Sequence, residues 1–122
     1  MATDMLEGRT THTHTTYSCG DVQLDVDARV VLVAGKRVML TYGEFELLLK
    51  LVADPGRAFT RHQLRVDLPG SAESTPRAVD LRVMRLRKKL AAAESFTIET
   101  VPHIGYRCWT SADGQAAPRA GA

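Results

Sequence analysis

The sequence predicts one α+β domain in which an antiparallel β-sheet is followed by three helices and closed by a C-terminal β-hairpin. Three patterns carry this prediction: apolar residues alternate along the early part of the chain, recur at helical spacing through its middle, and alternate again before Trp109. A chain of 122 residues has room for one domain of ordinary size and excludes a multidomain enzyme. Hydrophobic residues at 44% and charged residues at 25% fit a chain that buries a small core rather than a disordered one.

Residues 1–16 are rich in Thr and His, show no apolar periodicity, and are expected to form a loose tail that joins the sheet near Tyr17. His12 and His14 would share a face of an extended chain, but no third ligand stands near them, and a metal site is not expected there. The N-terminus has neither the apolar segment nor the small-residue cleavage site of a secretion signal, and no apolar run is long enough to cross a bilayer. The expected location is therefore cytoplasmic, associated with the nucleoid. Cys19 and Cys108 lie far apart in sequence and match no paired zinc or redox spacing. If the hairpin closes on the sheet the two approach one another, as inert thiols or, alternatively, as a redox switch.

Val22, Leu24 and Val26 alternate with polar residues, and Val30–Val33 and Val38–Leu40 follow across a turn at Ala34-Gly35-Lys36, which predicts an antiparallel meander. Thr41 with Glu44 forms a capping-box pattern, and Phe45, Leu48, Leu49 and Val52 recur at i, i+3, i+4 and i+7, so a first helix is expected from Tyr42 to Ala53. Thr60 with Gln63 repeats the pattern and predicts a short second helix from Arg61 to Asp67, stopped by Pro69-Gly70 and followed by a polar loop to Ser74. Val79, Val83, Leu86 and Leu90 define the core stripe of a longer third helix, about 76–92. Phe96 and Ile98 alternate with polar residues, Pro102 to Gly105 supply a bend, and Tyr106 to Trp109 return as a strand, giving a hairpin over about 97–109. The domain is thus expected over 17–110, with a disordered tail over 111–122.

The net charge of +2 says little by itself, and its distribution says more. Arg77 to Lys89 holds six basic residues and the single acid Asp80, a segment charge of +5 that leaves −3 for the rest of the chain. Such a concentration marks a surface that meets polyanions. On a helical wheel Arg77, Leu81, Met84 and Lys88 lie opposite the core stripe, Arg85 stands beside them, Arg82 and Lys89 flank one side, and Arg87 with Asp80 flanks the other. An α-helix fits the DNA major groove, where arginine grips guanine and its neighbours neutralise phosphates. Leu81 and Met84 are apolar where solvent is expected and could contact thymine methyl groups or a partner protein.

Two capped helices, a short connection, a longer cationic helix and a hairpin beside it make a winged helix-turn-helix. The motifs also resemble the OmpR/PhoB-type winged-helix effector domain of bacterial response regulators. Thr41-Tyr42-Gly43-Glu44-Phe45-Glu46-Leu47-Leu48 is similar to that family's entry into its first helix, and Pro55-Gly56-Arg57 through Thr60-Arg61-His62-Gln63-Leu64 to its entry into the second. Arg77-Ala78-Val79-Asp80-Leu81-Arg82-Val83 through Leu90 resembles the recognition helix, and Thr100-Val101 and Gly105-Tyr106-Arg107 resemble the ends of the wing. The resemblance implies that Arg85 approaches bases, that Arg77, Arg82, Arg87 and Lys88 meet phosphates or groove walls, and that Thr100 touches the backbone from the wing.

Three departures from the family pattern stand out. Where many members carry Arg-Gly after Thr-Val, with the arginine entering the minor groove, this chain has Pro102 and His103. His103 either inserts in its place, favoured by the negative potential of a narrow A·T minor groove, or is a turn residue with no DNA role. The loop that in the family contacts RNA polymerase carries Leu68-Pro69-Gly70, so a polymerase contact is only one possible partner relationship. The chain shows no receiver domain, and the expectation is control through abundance, a partner or cooperative assembly on direct repeats rather than phosphorylation within the chain.

Neither a nucleophile with its base, a phosphate-binding glycine loop nor a metal-ligand spacing is present, and His62 reads as a surface or phosphate-contacting residue. The expectation is a non-enzyme without cofactor: a sequence-specific double-stranded DNA binder that regulates transcription, with Lys89 adding to non-specific phosphate attraction. The alternatives are a protein-interaction module for polymerase or another regulator, and an architectural or phage-type DNA binder on the same fold.

Overall fold

A computed structural model describes residues 15–66 and 76–110. Most of the two expected tails, His12, His14, Asp67 and the loop through Ser74 lie outside these residues. Strands β1 (Thr16–Cys19), β2 (Val22–Asp25), β3 (Val30–Val33) and β4 (Lys36–Val38) form an antiparallel sheet in sequential order. Strands β2 and β3 follow the predicted meander, β1 forms where the chain is expected to join the sheet near Tyr17, and β4 begins at Lys36, inside the expected turn, and ends at Val38 rather than Leu40. The register aligns Tyr17, Leu24, Val31 and Val38 in one row and Cys19, Val22 and Val33 in another on the same face. In the two-residue turn between β3 and β4, Ala34 and Gly35 both take positive φ, 51° and 82°. This sign pattern belongs to a type I′ turn, whose twist matches that of the flanking strands.

Helix α1 (Tyr42–Val52) starts with the predicted capping box: Glu44 N donates to Thr41 Oγ1 at 3.2 Å and Thr41 N donates to Glu44 Oε1 at 2.9 Å. Its buried face is broader than the expected stripe. Leu47 and Leu51 are buried with Phe45, Leu48 and Val52, whereas Leu49 is half-buried, because α1 packs at once on β1, on the second helix and on the last strand.

The predicted second helix over Arg61–Asp67 is a single capped turn instead. Thr60 and Gln63 do exchange the capping bonds, with Gln63 N donating to Thr60 Oγ1 at 3.0 Å and Thr60 N donating to Gln63 Oε1 at 2.9 Å. The turn then stops, and Lys50 Nζ donates to the carbonyls of both Gln63 and Arg65 at 3.0 Å, occupying the Gln63 acceptor that a continuing helix would offer to the amide four residues on. Leu64 and Val66 enter the core two residues apart, the spacing of extended chain. Just before the turn lies a strand that the sequence reading missed, β5 (Phe59–Thr60), paired with the returning strand of the hairpin.

Helix α2 (Pro76–Lys89) is the predicted long cationic helix, ending slightly earlier than expected. Its stripe of Val79, Val83 and Leu86 is fully buried and continues to Leu90 just beyond the helix. Strands β6 (Phe96–Val101) and β7 (Gly105–Thr110) form the hairpin, and with β5 they make a second sheet in the order β5-β7-β6. Gly105 is required where β5 crosses β7, because a Cβ there would overlap the Phe59 carbonyl oxygen.

Two of the contacts that join the first sheet to the rest lie near the β1–β2 turn and the end of β1. Asp21, in the β1–β2 turn, accepts from the backbone N–H groups of Glu94 at 2.8 Å and Ser95 at 3.3 Å, in the connection between α2 and β6. Cys19 Sγ of β1 lies 3.8 Å from Cys108 Sγ of β7, the approach expected of a hairpin closed on the sheet, and Cys108 Sγ donates to the Leu51 carbonyl at 3.1 Å. The hydrogen bond with Cys19 and burial together push the Cys108 thiol well above its ordinary range, which favours the unreactive protonated form.

Alanine in a left-handed position pays for its Cβ, whereas asparagine adopts that region readily. Ala34→Asn is therefore expected to stabilise the domain by about 0.5–1 kcal/mol in thermal or urea unfolding. A loss of stability would contradict the type I′ assignment.

Candidate nucleic-acid interface

Helix α2 presents its outer face to solvent because its apolar stripe is locked into the core. Arg77, Leu81, Met84, Arg85 and Lys88 are exposed along that face, with Leu81 at 42% and Met84 at 48% exposure despite their apolar side chains. These are the residues the wheel places opposite the stripe or beside that outer line. The structure brings them together on a surface that no other described element covers.

The flanking cations lie elsewhere. Lys89 Nζ donates to Glu44 Oε1 at 2.6 Å, and the Glu44 side chain is only 3% exposed. Burial disfavours the charged carboxylate, but the Lys89 ammonium and the Thr41 amide outweigh it and hold Glu44 below its ordinary range. Lys89 therefore ties the end of α2 to the start of α1. Arg82 is half-buried against the same helix start, where a Cβ on Gly43 would overlap its Nε. Arg87 reaches the hairpin: its Nε and Nη2 donate to the Ile98 carbonyl at 3.2 and 2.8 Å, and Nη2 also donates to Thr100 Oγ1 at 3.0 Å. Thr100 is thus exposed on the wing and connected to α2 through Arg87.

A junction that the sequence reading missed fixes the helix to the wing. Asp80 Oδ1 accepts from Tyr106 Oη and from Arg61 Nε, both at 2.7 Å. The Arg61 and Arg87 guanidiniums lie 5.4 and 5.6 Å from the Tyr106 ring centre. The Tyr106 hydroxyl, assisted by Arg61, lowers the Asp80 pKa, while burial and Asp80 raise that of Tyr106. The available signal was Asp80 itself, the lone acid in the cationic segment.

The wing extends past this junction to an exposed tip of Pro102, His103 and Ile104, closed by a 3.0 Å bond from Ile104 N to the Val101 carbonyl. His103 occupies the left-handed region at φ 68°. Along the hairpin, Glu99 accepts from Arg107 and from Trp109 Nε1, so Arg107 is neutralised within the wing. His62 is exposed in the capped turn, with Nδ1 3.2 Å from Arg65 Nη1. Among the described residues no group of three or more His, Cys, Asp or Glu is placed to hold a metal ion, and no helix is long and apolar enough to cross a membrane.

Together these elements form a winged helix whose cationic helix stands clear of the body beside a two-stranded wing. Residues 35–108 match the family described as "Transcriptional regulatory protein, C terminal", which covers more than half of the chain, and the protein belongs to that family. The chain is 39% identical over 90 residues to the transcriptional regulatory protein RstA of Escherichia coli, an alignment covering 71% of this chain and 38% of RstA. The DNA-binding domain of Klebsiella pneumoniae RstA, solved in complex with the RstA box, superposes with a TM-score of 0.64 at 33% identity, covering 79% of this chain and 98% of that one. The response regulator DrrB of Thermotoga maritima, an OmpR/PhoB homologue, gives a TM-score of 0.65 at 31% identity over 77% of this chain and 44% of DrrB. The chain thus spans about two fifths of the length of the longer regulators it matches, and corresponds to their C-terminal, winged-helix part.

Removing the Lys89 ammonium leaves a buried carboxylate without its ion partner. Lys89→Ala is expected to destabilise the domain by about 2 kcal/mol, less than the ~3–5 kcal/mol of a fully buried pair because Lys89 itself is 36% exposed. Urea unfolding checks this, and an unchanged midpoint would show that the pair is not a structural tie. Asp21, Glu44 and Asp80 all have lowered native pKa values, Asp21 chiefly through the Glu94 amide. Their contribution is complete above the ordinary carboxylate range near pH 4 and is lost as pH falls through the lowered native values. Unfolding free energy measured against pH should decline in that acid window, and a flat profile would contradict the three assignments.

Proposed function

We propose that this domain binds double-stranded DNA in a sequence-specific manner and regulates transcription, with α2 in the major groove and the wing against the adjacent backbone. The observation that supports it most is the exposed face of α2, where Arg77, Arg85 and Lys88 stand on the surface of a helix of groove-compatible width. The RstA domain solved on its RstA box supports the same use of the fold.

In this reading Arg85 meets base edges, and Arg77 and Lys88 meet phosphates at the two ends of the helix. Arg82, Arg87 and Lys89, expected from the sequence to touch DNA, act chiefly by positioning α2 and the wing. Thr100 meets the backbone beside the helix, and His103 at the wing tip approaches the minor groove. The protein acts in the cytoplasm on the nucleoid and carries out no chemistry of its own. Single domains bind modestly, and paired copies on direct repeats gain apparent affinity through multivalency. A contact with RNA polymerase would couple the bound domain to transcription.

Selection from random duplexes at near-physiological salt tests this. Arg85→Ala should cost about 1–3 kcal/mol on the selected site and relax base preference, whereas Lys88→Ala should weaken all sequences alike and lower the salt slope by about 1. Equal losses on selected and random DNA for Arg85→Ala would remove it from base reading. Salt-sensitive binding without any motif would favour the architectural reading instead.

A further inference from the structure

The centre of the exposed α2 face is apolar, and its charge lies around that centre. Three flanking cations are engaged within the domain: Lys89 with Glu44, Arg87 with Ile98 and Thr100, and Arg82 against Gly43. What remains along the outermost line is Arg77, Leu81, Met84 and Lys88, with Arg85 beside Leu81 and Met84. Leu81 and Met84 together form an apolar step with a cation before it and a cation after it. Such side chains are ordinarily buried, and an exposed apolar pair inside a cationic rim fits a partner that is itself apolar in the middle and anionic at its borders.

The major groove over a thymine has that chemistry. Its floor carries the C5 methyl group, its walls carry phosphates, and the neighbouring guanine offers the acceptors that an arginine grips. Leu81 and Met84 stand three residues apart on one helix face, roughly 4.5 Å along its axis, against roughly 3.4 Å between base pairs. Resting on the assignment of α2 to the major groove, we infer that Leu81 and Met84 read thymine methyl groups at neighbouring base pairs, next to the position read by Arg85. Specificity at those positions then comes from burying methyl groups rather than from hydrogen bonds. An acidic protein partner would be drawn by the same cations but would have no reason to distinguish thymine from uracil.

The test separates these cases. Duplexes are selected from a pool containing thymine, and the recovered site is then resynthesised with deoxyuridine at each thymine in turn, which removes only the methyl group. The wild-type domain is expected to lose roughly fourfold in affinity per methyl read, the exchange expected for one buried methylene-sized group. The loss should fall on one or two neighbouring base pairs and disappear there in Leu81→Ala or Met84→Ala. Both side chains are exposed, so unchanged circular dichroism and thermal midpoints should accompany the variants. A recovered motif that tolerates uracil throughout, or a uracil effect that persists in both variants, overturns the methyl reading while leaving DNA binding intact. If no motif is recovered, the major-groove assignment and this inference fall together.

Discussion

The functional geometry of this domain depends on one carboxylate. Asp80 sits on the cationic helix, yet its oxygen accepts from the Tyr106 hydroxyl of the wing and the Arg61 guanidinium of the capped turn. Three elements distant in sequence meet at that oxygen, which helps to fix the relative positions of α2, β7 and the turn after β5. A hydrogen bond to an ionised acceptor is stronger than one between neutral groups. The junction is also partly shielded by Tyr106, which is buried to all but 5%. The price of one negative charge in a cationic helix is offset by a fixed angle between helix and wing.

The same logic divides the basic residues of α2 between two tasks. A charge run read along the sequence looks uniform, but the folded domain commits Lys89 to a buried carboxylate and Arg87 to a wing carbonyl, leaving Arg77, Arg85 and Lys88 outside. The committed cations rigidify the platform. In the proposed function, the outer ones supply long-range attraction for a polyanion. Fixing the platform in advance lowers the ordering cost that a flexible loop would pay on binding.

Much of this was legible before the structure. The β2 and β3 strands, the α1 capping box, the core stripe of α2, the C-terminal hairpin and the approach of Cys19 to Cys108 all follow from periodicity or motif, because each is a local pattern or its direct consequence. The short strand β5 was not legible, since two residues carry no period and their partner lies far along the chain in β7. The capped turn at Thr60 shows how a correct local signal can mislead. Its capping bonds form, but Lys50 of α1 takes the Gln63 carbonyl, which a longer helix would have used for its own bond. The sorting of the α2 cations was likewise hidden, because a helical wheel gives direction and not the position of Glu44 or Ile98.

Arg87 has a further effect at the margin of the second sheet. In the order β5-β7-β6, strand β6 is an edge, and edges with open carbonyl and amide groups invite another chain to add as an extra strand. The Ile98 carbonyl on that edge receives two nitrogens of Arg87, and Thr100 beside it receives one of the same nitrogens. An incoming strand would meet a charged, bulky guanidinium in place of a vacant acceptor. The helix that faces outward thus also covers part of its own wing, filling one acceptor on the β6 edge where another strand would otherwise pair.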